Sequence, residues 1–178
     1  MVMSLEKFKD RQDLLKFLYC CGVLEEHVSN AYKSVASRVN DELVRVFLDY
    51  ISNDSLKHSR ILMGISKFFG VKDVELVECE KIVGAIAVRA IEDAKRTAAD
   101  VSIVSLEELA QEFDKLINLE KYFGEEYLMI IHLNLIKALL EHEKIEFKFL
   151  REIIEYIIRD EERHENILRI IKSYISQK

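Results

Sequence analysis

Residues 153–171, IIEYIIRDEERHENILRII, decide the fold of this chain, because apolar side chains recur at helical spacing around a short charged run. Within the run, Glu161 and His164 lie three residues apart and therefore share one helix face. The residues one or two turns from this pair include six apolar ones: Ile154, Ile157, Ile158, Ile167, Leu168 and Ile171. Glu162 has Glu155, Arg159 and Arg169 around it instead, which indicates a solvated face. The segment thus predicts a core helix that presents a Glu-x-x-His pair inward, where a carboxylate is costly unless it is paired or bound to a cation.

The rest of the chain has the same helical periodicity, and it contains no proline to interrupt it. The predicted helices cover about 5–39, 42–69, 73–100, 106–140 and 145–175, with a turn at Asn40-Asp41, a glycine cap at Gly70, a capping box at Ser105–Glu108 and a turn at Glu141–Lys144. We therefore expect an all-α fold with a single domain over residues 1–178. Hairpin one (about 5–69) and hairpin two (about 106–176) would be long and antiparallel. The helical segment at about 73–100 would be the long crossover of a four-helix bundle.

The amino-acid composition of the chain limits the classes of function that it can have. Hydrophobic residues make up 49% and charged residues 33% of the chain, which is typical of a globular protein. The net charge of −6 argues against nucleic acid as a partner. Neither a membrane-spanning apolar run nor a signal-peptide core is seen, so the cytoplasm is the expected compartment.

The three cysteines, Cys20, Cys21 and Cys79, are an odd number, and two of them are adjacent. This pattern predicts reduced, buried thiols and no disulfide framework. The sequence has no Cys-x-x-Cys pair, which excludes a zinc ribbon or a rubredoxin-type iron site.

The first hairpin has polar residues on its apolar faces. His58 lies in the apolar stripe of the second helix, and Glu25 lies among apolar residues of the first. A turn at Asn40-Asp41 brings Glu25 and His58 to similar levels along the axis of the bundle. Ser55 stands three residues before His58, and Asp54 stands one turn before it.

The second hairpin repeats this design. Glu120 lies on an apolar face, and a fold near His142 places it level with Glu161 and His164. A tyrosine follows seven residues after Glu25 and again after Glu120, at Tyr32 and Tyr127. Glu126 is the rival of Glu120 for the same role, because it too has apolar neighbours. The shared tyrosine spacing and the height favour Glu120. Of the other histidines, His132 is expected to be a hydrogen-bonded core residue, and His27 and His142 are expected to be surface or turn residues.

Taken together, these residues resemble the ferritin-like diiron carboxylate proteins, in which two helices each supply a Glu and two others each supply a Glu-x-x-His. The runs Glu25…Tyr32…Ala36 and Asp160–His164 are most similar to rubrerythrin-type domains. The resemblance implies a ferritin-like bundle with a metal site, whose ligands would be Glu25, His58, Glu120, Glu161 and His164. Tyr32, Tyr127 and Ser55 would surround them. Ser55 departs from the pattern, because the family places a glutamate there. Asp54 or a water would then fill the gap, or only one metal would bind.

The resemblance further implies two iron ions, with manganese or zinc as alternatives, since carboxylates and imidazoles suit all three metals. The implied chemistry is peroxide reduction, ferrous oxidation, or oxygen-dependent oxidation of a substrate such as a lipid or a tRNA. Electrons would come from an external donor, because the chain has no rubredoxin module. A homodimer is one expected assembly, since the third helical stretch has an apolar face. Ser55 favours the alternative function, a degenerate bundle that is structural or binds a partner without catalysis.

Overall fold

The computed structural model describes residues 10–122 and 145–178, which form six α-helices and no β-strand. The helices are α1 (Arg11–Arg38), α2 (Glu42–Phe68), α3 (Leu76–Val83), α4 (Ala85–Ala99), α5 (Leu106–Tyr122) and α6 (Ile145–Ile175). The predicted all-α class is confirmed. The predicted continuation of the fourth stretch to Leu140 and its turn at Glu141–Lys144 lie outside the described residues.

Helices α1 and α2 form an antiparallel hairpin. The carboxylate of Asp41 accepts a hydrogen bond from the Val44 amide at 3.0 Å and begins α2, as the turn at Asn40-Asp41 predicts. At its other end, α1 begins at Arg11 rather than near Leu5, because Asp10 has an extended backbone (φ −151°) and caps the helix.

The crossover differs from its prediction as one continuous helix over 73–100. It consists of α3 and α4, which meet at Gly84, where φ is +91°. Glycine adopts this left-handed backbone without a steric penalty, so the helix is interrupted there. Both α3 and α4 pack on α1, and the Val104 amide, just beyond α4, donates to the Arg38 carbonyl at 3.2 Å. The crossover therefore returns the chain to the end of α1.

Helices α5 and α6 pack against each other in antiparallel orientation, with His164 beside Glu120 and Lys172 beside Asp114. The predicted capping box begins α5: the Ser105 amide donates to Glu108 at 2.9 Å, and the Glu108 amide donates to the Ser105 hydroxyl at 3.2 Å. Helix α6 also packs antiparallel to α2, and the Tyr174 hydroxyl donates to Asp41 at the top of hairpin one at 3.3 Å. From its beginning to its end, the chain runs up α1, down α2, up the crossover, down α5 and up α6.

Cys20 and Cys79 form a disulfide, and the prediction of three reduced thiols is wrong. The two residues are separated by 59 positions, but α3 folds back on α1 and brings their Cα atoms to 5.0 Å. A count of cysteines along the chain does not show this approach. Cys21 is not part of this disulfide and is buried.

Among the described residues, none of the helices has the combination of length and apolar character needed to cross a membrane.

The α1–α2 contact is close because α1 carries a glycine where the two helices meet. A Cβ atom on Gly22 would lie 2.9 Å from the Ser59 carbonyl oxygen and 2.8 Å from Met63 Cγ. The first of these atoms is backbone, so it moves only if α2 moves. Gly64, on α2, has nothing within 4 Å of the same position.

We expect Gly22→Ala to lower the free energy of unfolding by about 1–3 kcal/mol, because the added methyl group overpacks the helix contact. Gly64→Ala is the matched control, and it should raise stability by about 0.5–1 kcal/mol, since alanine is the better helix former at an open position. Urea denaturation followed by circular dichroism measures both values. Equal effects of the two substitutions would contradict the close packing at Gly22.

Candidate metal centre

Five predicted ligand residues converge inside the protein. They come from α1 (Glu25), α2 (His58), α5 (Glu120) and α6 (Glu161 and His164), and none is more than 2% exposed. Their ligand atoms form two groups, Glu25–His58–Glu161 and Glu120–Glu161–His164, and in each group these atoms lie within 4.8 Å of one another. Glu161 belongs to both groups. The arrangement can hold two metal ions that share one carboxylate.

The register of hairpin one sets the height of Glu25 and His58. The Ser29 hydroxyl donates to the Ser52 carbonyl at 2.7 Å, and the Ser52 hydroxyl donates to the Ser29 carbonyl at 2.9 Å. Ser29 is one turn beyond Glu25, and Ser52 is less than two turns before His58. The reciprocal bonds therefore fix the two helices next to the centre.

The two oxygens of Glu161 face different histidines. Oε1 lies 2.8 Å from His58 Nδ1, and Oε2 lies 3.7 Å from His164 Nδ1. Each Nδ1 atom also faces a second carboxylate, with Glu25 Oε1 3.8 Å from His58 and Glu120 Oε2 3.3 Å from His164. Both imidazoles thus direct Nδ1 at the carboxylates of the centre.

The Nε2 atom of each histidine contacts an aspartate on the helix that carries the other histidine. His58 Nε2, on α2, lies 3.0 Å from Asp160 of α6, and His164 Nε2, on α6, lies 3.3 Å from Asp54 of α2. Because an ionised carboxylate only accepts, Nε2 is the donor in each bond, and Nδ1 of a neutral ring keeps its lone pair for a cation. Asp54, predicted as an alternative ligand, therefore lies on the outer side of His164 and is outside both groups of ligand atoms.

Two basic side chains complete the outer network. Lys57 Nζ donates to Asp54 at 2.7 Å and to Asp160 at 3.0 Å. Arg163 donates to Asp160 and also lies 3.4 Å from Asp54. Lys57 and Arg163 are about half exposed, whereas the aspartates are mostly buried. The network separates the histidines from solvent and balances its own charge.

Sequence analysis did not assign roles to Asp160, Lys57 or Arg163, although a pattern reveals them. Residues 54–58 (Asp-Ser-Leu-Lys-His) and 160–164 (Asp-Glu-Glu-Arg-His) share an aspartate, a basic residue and a histidine at the same spacing. The two segments contact each other reciprocally, aspartate to histidine in both directions. They are therefore related by an approximate twofold axis through the centre.

The remaining predicted residues fall into two sets. Tyr32 is buried, and its hydroxyl donates to Glu120 Oε1. Ser55 is fully buried, and its hydroxyl has no hydrogen-bond partner. Tyr127 and Glu126, the rival of Glu120, lie outside the described residues.

Buried polar atoms that lack hydrogen-bond partners indicate whether the side chains of the centre suit a metal ion. Among the described residues, Glu25 Oε1, His58 Nδ1 and Glu161 Oε1 are buried and lack a well-formed hydrogen bond, although the last two are only 2.8 Å apart. Buried polar atoms without partners are rare and costly in folded proteins. All three belong to the same group of ligand atoms. A cation coordinated by this group would satisfy all three atoms together, so the residues present fit a metal.

Burial alone would lower the pKa of both histidines, but their hydrogen bonds to carboxylates have the opposite effect and prevail. Asp160 and Glu161 raise the pKa of His58 to about 9. Glu120 and Glu161 raise the pKa of His164 to about 11. Without a cation, both imidazoles are therefore protonated near neutral pH.

The three carboxylates differ in their acidity. Burial raises the pKa of Glu161, but the two histidines outweigh it and lower the value to about 2. Burial, with the charge of Glu161, raises the pKa of Glu120 to about 7 and that of Glu25 well above its ordinary range. Glu161 is thus the carboxylate that stays ionised at the centre.

Comparison of this chain with protein families, curated proteins and solved structures finds no match. Its function is therefore argued from the geometry of the centre.

We expect metal binding to release at least two protons, because the imidazoles must lose theirs to become ligands. Between pH 6 and 8 both histidine pKa values lie above the solution pH, so metal affinity should rise by about a hundredfold per pH unit if two protons leave. Calorimetry in buffers of different ionisation enthalpy counts the protons. His27→Gln is the control and should release as many protons as the wild type. Release of fewer than one proton would contradict the protonated imidazoles.

Proposed function

We propose that this chain is a ferritin-like metal-binding protein with a dinuclear iron centre and redox activity. One observation carries the proposal: two groups of buried ligand atoms share Glu161, whose two oxygens face different histidines. A structural core has no need for three carboxylates and two imidazoles at one point.

The arrangement of the helices supports the ferritin-like part of the proposal. Two antiparallel hairpins are joined by a crossover along α1, and Glu25 and Glu120 come from the first helix of each hairpin. The second helices supply His58 and the Glu161–His164 pair. This is the pattern that the resemblance to rubrerythrin-type domains implies, apart from Ser55.

The donor set is compatible with iron. Carboxylate oxygens and imidazole nitrogens suit iron and manganese and also tolerate zinc, and no thiolate contributes to either group. Two iron ions would pass electrons to peroxide or oxygen; in ferrous oxidation the incoming Fe²⁺ would itself be the electron source. An external donor would restore those electrons.

The protein's own residues orient the ligands and exclude water. Asp54 and Asp160 hold the imidazoles through Nε2, and the Tyr32 hydroxyl holds one oxygen of Glu120. Such partners fix the ring orientation and raise the basicity of the ligand atom. Lys57 and Arg163 cover the aspartates on the solvent side.

We expect Glu161→Ala to remove most of the bound metal, because it takes away the carboxylate common to both positions. Glu162→Ala is the matched control, since Glu162 is exposed, and it should keep the wild-type metal content. Elemental analysis and the visible spectrum after aerobic purification measure the result. Equal metal content in the two variants would contradict the assignment. Metal-free wild-type protein would favour a helical bundle without catalysis.

A second candidate, oxidation of an organic substrate, is favoured by a cavity of about 560 Å³ between α1, α4 and α5. Its size suits a small molecule. Val28 and Leu116 line it, and they lie within one turn of Glu25 and Glu120. Tyr32 also lines it and bonds to Glu120, so the cavity adjoins the centre.

The charges at this cavity indicate which molecule it would accept. Arg96 forms an ion pair with Asp93, and Lys115 forms one with Glu112, so the charges cancel within each pair. Arg89, also in the lining, has no ion-pair partner in the described part of the chain. An apolar molecule with one anionic end would fit this lining.

We expect Ala94→Trp to block the cavity, because Ala94 lines it and is buried. The probe is 8-anilinonaphthalene-1-sulfonate, an apolar anion whose fluorescence rises in such sites. Ala98→Trp adds the same side chain at an exposed position of α4 outside the lining, and it should bind the probe as the wild type does. Unchanged binding by Ala94→Trp would sink the second candidate.

A further inference from the structure

We propose that the centre binds a small external carboxylate, of the size of formate or acetate, next to the Ser55 hydroxyl. The inference rests on the proposed function, because the anion would bridge or cap the two metal ions. It assigns an external carboxylate to the position of Ser55, where the chain itself supplies no carboxylate.

The position follows from the approximate twofold axis. The segments 54–58 and 160–164 exchange aspartate–histidine contacts of 3.0 and 3.3 Å, so their equivalent residues occupy equivalent places. In the second segment, the residue after the aspartate is Glu161, the shared carboxylate. Its equivalent in the first segment is Ser55. The axis therefore places a serine where a second shared carboxylate would stand.

The size of the anion follows from the difference between the two side chains. A serine ends in a hydroxyl on Cβ, whereas a glutamate extends by a further methylene and a carboxylate. The missing part has the size of formate or acetate. Since the Ser55 hydroxyl is buried without a partner, it is available to donate a hydrogen bond to the oxygen of such an anion.

Two buried hydroxyls lie next to the ligands on α2. In the described part of the chain, the hydroxyls of Ser55 and Ser59 have no hydrogen-bond partner, and both residues lie on the same α2 face as His58. The unsatisfied ligand atoms of Glu25, His58 and Glu161 are those that a cation would bind. Of the two hydroxyls, that of Ser55 belongs to the residue equivalent to Glu161, so the anion is placed there.

Charge balance favours an anion there. Two divalent ions bring four positive charges, and the carboxylates of Glu25, Glu120 and Glu161 bring three negative charges, which leaves one positive charge in a buried site. The outer network adds no net charge, because the charges of its two aspartates and its two basic side chains cancel. An uncompensated charge in the interior is unfavourable, so a single small anion neutralises the filled centre.

The test is the affinity for Co²⁺, measured by competition with a chromophoric chelator in a buffer free of carboxylates. Sodium formate should tighten Co²⁺ binding to the wild-type protein about tenfold, the effect of one supporting ligand. Sodium perchlorate at the same ionic strength is the control and should have no such effect. Formate that bound Co²⁺ in solution would weaken the apparent affinity, so the expected change has the opposite sign.

Variants at two serines locate the anion. Ser55→Glu supplies the carboxylate from the chain and should bind Co²⁺ tightly with no response to formate. Ser55→Ala should retain the fold, as checked by circular dichroism, and reduce the formate effect about fivefold, because one hydrogen bond is lost. Ser59→Ala removes a neighbouring hydroxyl and should respond to formate as the wild type does.

The outcomes separate the inference from the function on which it rests. Wild-type protein that binds Co²⁺ with no response to formate overturns the external carboxylate and leaves the metal centre standing. A formate response that persists in full in both Ser55 variants also overturns it. Failure to bind Co²⁺ at any formate concentration overturns the metal centre itself.

Discussion

The structure around the centre depends on the burial of one ionised carboxylate, that of Glu161, between two imidazoles. Its oxygens lie 2.8 Å from His58 Nδ1 and 3.7 Å from His164 Nδ1, and the side chain is 2% exposed. A charge in this position is tolerated only if its partners are held in place. The outer contacts of the histidines with Asp160 and Asp54 hold them, and those contacts in turn require α2 and α6 to pack side by side. The geometry of one carboxylate thus links the two hairpins.

The centre is built from two related halves that are no longer equivalent. Each half has an aspartate, a basic residue and a histidine at the same spacing, which explains why the outer network is closed. The inner residues differ, with Glu161 in one half and Ser55 in the other. The Ser55 hydroxyl is also buried without a hydrogen-bond partner. A centre with a glutamate in one half and a serine in the other is suited to bind a molecule that the chain does not supply.

Much of the fold and of the centre could be predicted from the sequence, because helical periodicity assigns each polar residue to a face. Glu25, Glu120 and His164 were placed in the core on the basis of their apolar neighbours, and they are buried. The break at Gly84 was not predicted, since a single glycine is compatible with a helix until the packing of α3 and α4 is known. The Cys20–Cys79 disulfide was missed for the same reason, because its two cysteines meet only after α3 packs on α1. Helical periodicity does not predict contacts between segments that are distant in the sequence.

Apolar side chains both near the centre and away from it build the core. Phe17, Phe113 and Ile154 are fully buried about two turns along their helices from the nearest ligand, and Leu24, Leu62 and Ile157 are fully buried within about one turn of a ligand. Burial of each such side chain contributes about 2 kcal/mol, and the disulfide fastens α3 to α1 independently. The ligands are therefore surrounded by apolar packing that does not itself coordinate a metal, so that a side chain such as that of residue 55 can change while the surrounding helices keep their packing.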